Sequence, residues 1–156
     1  MNRPLLKLAI TATVGCLLSA NPTVAQVLPP EKKAERVEIV KGPALEGARE
    51  NIAIVRWTTN NPGGTDIHYG IVYYGTDPED LSQMAKNPIT RNRNHAETTF
   101  RVLMLRLKPR TTYYYTVTST ESNGNSDGVE SGVNQFTTPG PGEVVMNYPP
   151  QPAQPK

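Results

Sequence analysis

Two histidines, His68 and His95, and one cysteine, Cys16, are the only imidazoles and the only thiol in this 156-residue chain. A zinc or copper site needs several such side chains converging on one ion. The two histidines fall on different segments expected to be strands, so each reads as an ordinary surface or rim histidine. Asp77, Glu79 and Asp80 offer calcium the oxygens it favours, but not in the spacing of an EF-hand loop. The chain has no Gly-x-Ser-x-Gly elbow, no phosphate-cradling glycine loop, and no Ser, His and Asp set that can be oriented as a triad. Neither catalysis nor a cofactor is expected from these residues.

The cations give a second chemical lead. Lys and Arg number 16 against 14 Asp and Glu, a formal charge of +2 that suggests an anionic partner. Position removes the suggestion. Arg3 and Lys7 precede an uncharged apolar run, 8–20, which is too short to span a bilayer and is followed by Thr23-Val24-Ala25. This is the pattern of a secretory signal. A signal peptide over 1–25, cleaved after Ala25, is expected, with a secreted or periplasmic/cell-envelope destination. Lipidation at Cys16 fits less well, because Thr13 stands where a large aliphatic residue is usual. Cleavage would leave a neutral chain with no cysteine, no spanning segment and no disulfide, so its stability must come from its core. The remaining cations, Arg91, Arg93, Arg101, Arg106, Lys108 and Arg110, spread over a loop, both faces of a strand and a turn. They do not make a nucleic-acid footprint.

Side chains need elements to hold them. With 12 Gly, 15 Pro and 7 Tyr against 2 Phe, the composition suits a turn-rich β protein. Residues 26–36 read as a polar lead-in and 139–156 as a Pro-rich flexible tail that cannot form a central strand. Between them, 37–138 is long enough for one self-supporting sandwich. Strands are expected near 37–43 and over 51–59, 66–74, 95–107, 111–120 and 132–138. The best candidate for a turn or two of helix is 78–85, and 121–131 reads as a long loop. Short strands without intervening long helices imply antiparallel pairing.

The run Leu107-Lys108-Pro109-Arg110-Thr111-Thr112-Tyr113-Tyr114-Tyr115-Thr116-Val117 resembles the E-to-F crossover of fibronectin type III domains. Trp57, after Ile54-Val55-Arg56, is similar to their strand-B core tryptophan, and Phe136-Thr137-Thr138-Pro139 to their typical end. A narrower likeness runs through Lys41-Gly42-Pro43, Arg56-Trp57-Thr58-Thr59-Asn60 and Tyr74-Gly75-Thr76-Asp77-Pro78-Glu79-Asp80-Leu81. These segments resemble the fibronectin-like domain that precedes the catalytic domain of purple acid phosphatases. The Gly-Asp and Gly-Asn-His motifs that supply metal ligands in that family are absent, so the resemblance implies the fold and not the activity.

The implied fold is all-β: a two-sheet antiparallel β-sandwich of the fibronectin type III/immunoglobulin kind. Trp57, Tyr113, Leu107, Pro109 and Phe136 are its expected structural residues, with the Tyr113 hydroxyl closing the arch between the sheets. Alternation along the strands then leaves two outer faces unusually apolar. Ile52, Ile54, Leu103 and Leu105 fall on one. Tyr69, Ile71, Tyr73 and Tyr114 fall on the other. Either the termini fold back over the aliphatic face, or one of these surfaces contacts a protein or glycan. The expected function is that of an exported, non-enzymatic binding or structural module. The alternative is a free-standing accessory domain that partners a separate metallophosphoesterase.

Overall fold

The computed structural model describes residues 31–147; the expected leader 1–25 and the last part of the tail, 148–156, lie outside the described residues. Among the described residues nine strands follow one another: β1 (Ile39–Arg49), β2 (Ile52–Asn60), β3 (Ile67–Gly75), β4 (Gln83–Thr90), β5 (Glu97–Leu105), β6 (Thr112–Glu121), β7 (Ser126–Glu130), β8 (Asn134–Thr137) and β9 (Val144–Met146). They pair antiparallel into a four-stranded sheet of order β5-β2-β1-β9 and a five-stranded sheet of order β4-β3-β6-β7, in which β8 also pairs β6. The expected sandwich is the one observed.

Strict alternation builds the core. In β5 the burial runs exposed–buried for all nine residues, so Phe100, Val102 and Met104 point inward while Arg101, Leu103 and Leu105 point out. Trp57 is 1% exposed and stacks on Phe100 with ring centroids 5.1 Å apart. Gly70 of the facing sheet makes room for this pair: a Cβ there would lie 2.9 Å from Trp57 Cη2. Tyr113 packs on Tyr74 and Phe136, and its hydroxyl accepts the Lys108 N–H at 2.9 Å. That bond ties the crossover to β6 and links the two sheets through a single residue. Leu107 is buried in the same cluster. Pro109, expected among the structural residues, is exposed on the turn, where its carbonyl accepts the Thr111 hydroxyl. It shapes the turn and fills no core.

Three segments differ from expectation. Residues 78–85 are not helical: a tight turn closes at Asp77 and Asp80, and β4 begins at Gln83. β4 pairs only with β3, and such an edge position tolerates Pro88, which has no N–H to give a ladder. Its inward Ala85 and Ile89 pack on the core. The expected loop 121–131 is a hairpin whose tip is Asn123-Gly124, and β7 returns along β6. Part of the Pro-rich segment is also ordered, since β9 adds to the edge of β1, with Gly47 opposite Met146 and Arg49 opposite Val144. The prolines of this segment flank the strand and do not interrupt it.

Candidate functional site

The outer face of the four-stranded sheet is assembled by register. Met146, Gly47, Ile54 and Leu103 lie side by side in one row across β9, β1, β2 and β5, and Val144, Arg49, Ile52 and Leu105 in the next. Leu103, Leu105, Val144 and Met146 are 38%, 53%, 50% and 55% exposed, and Ile52 and Ile54 are half-buried between them. One of the two expected arrangements had the tail covering this face. The described part of the tail, β9, joins the sheet edge-on and lengthens the apolar surface by two residues; 148–156 lie outside the described residues. Neither Val144 nor Met146 was singled out from sequence; the only signal was an apolar Val-Val-Met triplet inside a Pro-rich stretch. Beyond the two rows, Arg101 pairs with the buried Glu46 carboxylate.

The second outer face is more closed. Ile71, expected to be exposed, is only 6% so. It lies in the middle of a central strand, flanked by Tyr69 and Tyr73 and opposite Lys86 and Thr118, whose side chains surround it. Lys86 Nζ sits 4.0 Å from the centre of the Tyr69 ring, a cation–π contact that occupies one aromatic face. Tyr114 is half-buried, and Tyr73, at 40% exposure, is the open member of the set.

The chemically distinctive side chains gather elsewhere, at one pole of the sandwich. His68 is a correction to the surface or rim reading, because it is completely buried. Its Nδ1 lies 2.9 Å from Asp127 Oδ2, and its Nε2 lies 3.0 Å and 3.1 Å from the Thr65 and Gly63 carbonyls. Every neighbour is an acceptor, so the doubly protonated imidazolium satisfies the site. Burial, the largest influence, favours the neutral ring; the Asp127 hydrogen bond and charge together with the two carbonyls outweigh it and raise the His68 pKa. Burial likewise works against the Asp127 carboxylate, but His68, Ser119 and Lys33 lower its pKa overall. Glu121 is held low in the same way: burial opposes its charge, while Asn123, Asn125, the Thr65 N–H and Lys33 support it.

Arg91 completes the pole. Its side chain has no exposure and donates to Glu31, Asn61 and the Thr65 and Gly64 carbonyls. Arg93 forms a bidentate pair with Asp66 at 2.6 and 2.8 Å. Three of the six cations that could have formed a nucleic-acid footprint, Arg91, Arg93 and Arg101, are therefore engaged inside the molecule. The lead-in is part of this structure too, with Lys33 3.7 Å from Asp127 and Ala34 N–H bonded to the Pro62 carbonyl.

His95 is exposed on the loop before β5; its carbonyl accepts from Asn61, which also bonds the Gly63 N–H at the pole, but its ring makes no hydrogen bond there among the described residues. Asp77 caps its own turn through the Glu79 N–H. Among the described residues no three His, Cys, Asp or Glu side chains gather as a metal site, and no helix is long and apolar enough to cross a membrane. The pole is thus a set of charges paired with one another, in which Asp127 Oδ1 has only the Lys33 ammonium 3.7 Å away, and the aliphatic face has no counterpart among the described residues.

The family model for the purple acid phosphatase N-terminal domain matches residues 43–138, the sandwich from the bulged part of β1 to the end of β8. The chain belongs to that family. The matched unit is the N-terminal domain of those phosphatases. No curated protein matches the chain. Among solved structures, it is similar to the sensor domain of the anti-sigma factor RsgI4 in Pseudobacteroides cellulosolvens, at 17% identity and a TM-score of 0.46, over 72% of this chain and 98% of that one. It is also similar to the fn3 domain of human contactin 1, at 14% identity and a TM-score of 0.39, over 92% and 100% of the two chains. The FN5 domain of Drosophila Lar aligns at 15% identity and a TM-score of 0.35, over 66% and 96%.

Proposed function

We propose that this purple acid phosphatase N-terminal-type domain is an exported, non-enzymatic binding module that holds a protein partner on the outer face of its four-stranded sheet. The observation that carries this reading is the pair of apolar rows running from Leu103 and Leu105 to Val144 and Met146. Contiguous apolar surface of this kind marks an interaction site, and here a segment outside the matched domain enlarges it. The competing tyrosine face, which would suit a glycan, has one member buried and another capped by Lys86. The charged groups with unusual environments are absorbed in the pole, which supports the absence of catalysis. Export rests on the 1–25 leader, which lies outside the described residues. Photo-crosslinkers placed singly at Leu105 and at Tyr73, with the native secreted or envelope fraction as bait, test the reading. A discrete adduct from Leu105 and none from Tyr73 is the expected result; the reverse would move the site to the other sheet.

The family match favours a second reading, in which the partner is a separately encoded metallophosphoesterase and this chain is its accessory domain. Recovery of metal-dependent phosphoesterase activity with the Leu105 adduct would select it. The purified chain itself should hydrolyse no generic phosphoester with added divalent metal.

A further inference from the structure

The aliphatic face is not flat. Where the Met146–Ile54 row crosses β1 the residue is Gly47, so a side chain is missing from the middle of the row. The gap is a cleft of about 90 Å³ walled by Arg49, Ile52, Ile54, Val144 and Met146. Glycine is not needed there for backbone conformation, since its φ lies outside the left-handed region that residues such as Gly42 and Gly63 occupy. A Cβ on Gly47 would instead meet Met146 Sδ at 3.0 Å and the Val145 carbonyl at 3.2 Å, closing the cleft from its floor. Glycine in a strand interior weakens the strand and marks a bulge or a close approach. Here it lets Met146 lean over the strand, and the cleft lies between that side chain and those of Ile52, Ile54 and Val144.

The hollow has charge on its rim. Arg49 is exposed in its wall and Arg56 is half-buried one row away, and neither makes an ion pair or side-chain hydrogen bond among the described residues. Glu46 also lines the cleft, but it is buried and its carboxylate is committed to Arg101. A second copy packed face to face would set these two arginines against their own images. A bilayer would suit cations and apolar groups but offers nothing that projects into a cleft the size of one side chain.

We infer that the Gly47 cleft is the anchor site of this face, taking a single protruding aliphatic side chain of a protein partner, with carboxylates beside it on that partner meeting Arg49 and Arg56. The inference rests on the proposed binding function and names its centre. Deep, central pockets filled by one side chain carry most of the affinity of such interfaces, and flanking charges set partner choice.

Nuclear magnetic resonance titration of the labelled chain tests this with four probes. They are a Glu/Asp-rich peptide with a central Leu, the same peptide with a central Ser, a Lys-flanked Leu peptide, and phosphatidylglycerol vesicles. Saturable shifts of the Gly47, Ile54 and Met146 amides with the acidic Leu peptide alone are expected. Gly47→Val should weaken that binding about tenfold or more, the loss typical of a filled anchor pocket. Arg49→Glu, at an exposed position, should turn the preference toward the Lys-flanked peptide, and it keeps the test open if Gly47→Val does not fold. Equal response to the Ser peptide, response to vesicles only, or no saturable shift at Gly47 with any probe would overturn the inference. If the Leu105 crosslink to the native partner survives Gly47→Val unchanged, the surface stands and the anchor falls.

Discussion

The polar pole and the aliphatic face divide the labour of this molecule in opposite ways to their appearance. At the pole, an imidazolium, two carboxylates and a guanidinium look like the makings of an active site, yet each has its partners inside the fold. His68, Arg91, Asp127 and Glu121 hold loop 61–65, the β6–β7 hairpin and the lead-in together. On the face, Leu103, Leu105, Val144 and Met146 look like core residues but touch solvent. Charge here is structural and apolar surface is available for contact. Buried charges are tolerated where opposite charges and hydrogen bonds surround them, whereas an exposed apolar row adds little to folding.

The sharpest way to break the contrast is to remove one charge from the pole. Asp127→Ala strands a buried imidazole among acceptors and should destabilise the chain by about 3–5 kcal/mol, as breaking a buried pair does. Urea unfolding measures it, and a loss under about 1 kcal/mol would show the pole to be solvated. Trp57→Ala gives the same scale for the core, about 3–5 kcal/mol for an aromatic deletion, read as a lowered melting temperature by circular dichroism.

Next comes pH. The folded His68 pKa is raised above that of a free imidazole, so its stabilisation is complete below the free value and is lost as pH rises through the folded pKa. The Asp127 pKa lies below that of a free carboxyl, so its contribution is present above the free value and fades as pH falls through the folded pKa. Unfolding free energy should therefore decline from mildly acidic toward alkaline pH. The His68→Gln variant should lose that slope; an unchanged slope would assign it to another group.

Smaller effects follow. Tyr113→Phe removes only the bond from the Lys108 N–H, about 0.5–1.5 kcal/mol in urea unfolding, or more if the amide is left buried without water. Leu105→Ser, on the open face, should change stability by no more than about 0.5 kcal/mol. A larger loss would mean the face is covered in solution.

How much of this was legible in the sequence follows physical lines. β2, β5 and β6 alternate cleanly because each has one face in the core, and Trp57 with the Leu107–Tyr113 run fixes where the sheets meet. β4 was obscured by Pro88, which only an edge strand permits. β7 was hidden in polar residues, although Asn123-Gly124 is a hairpin signal that went unused. β9 has three residues, too few for periodicity to show. The pole joins His68 to Asp127 across 59 positions. Alternation from Val72 through Gly70 does place His68 on the inner face, but its partner depends on the β6–β7 hairpin, whose polar residues look like a loop. The aliphatic face was half visible, through Ile52, Ile54, Leu103 and Leu105. Its other half waited on β9.

The central claim is that this face holds the partner while the pole holds the fold, and one comparison tests it most directly. The Leu103→Ser/Leu105→Ser/Val144→Ser variant and the parent are matched for melting temperature, then compared for capture of the native partner identified by the Leu105 crosslink. The account predicts a parent-like melting temperature with capture abolished. Capture at the parent level by a folded triple variant would contradict it.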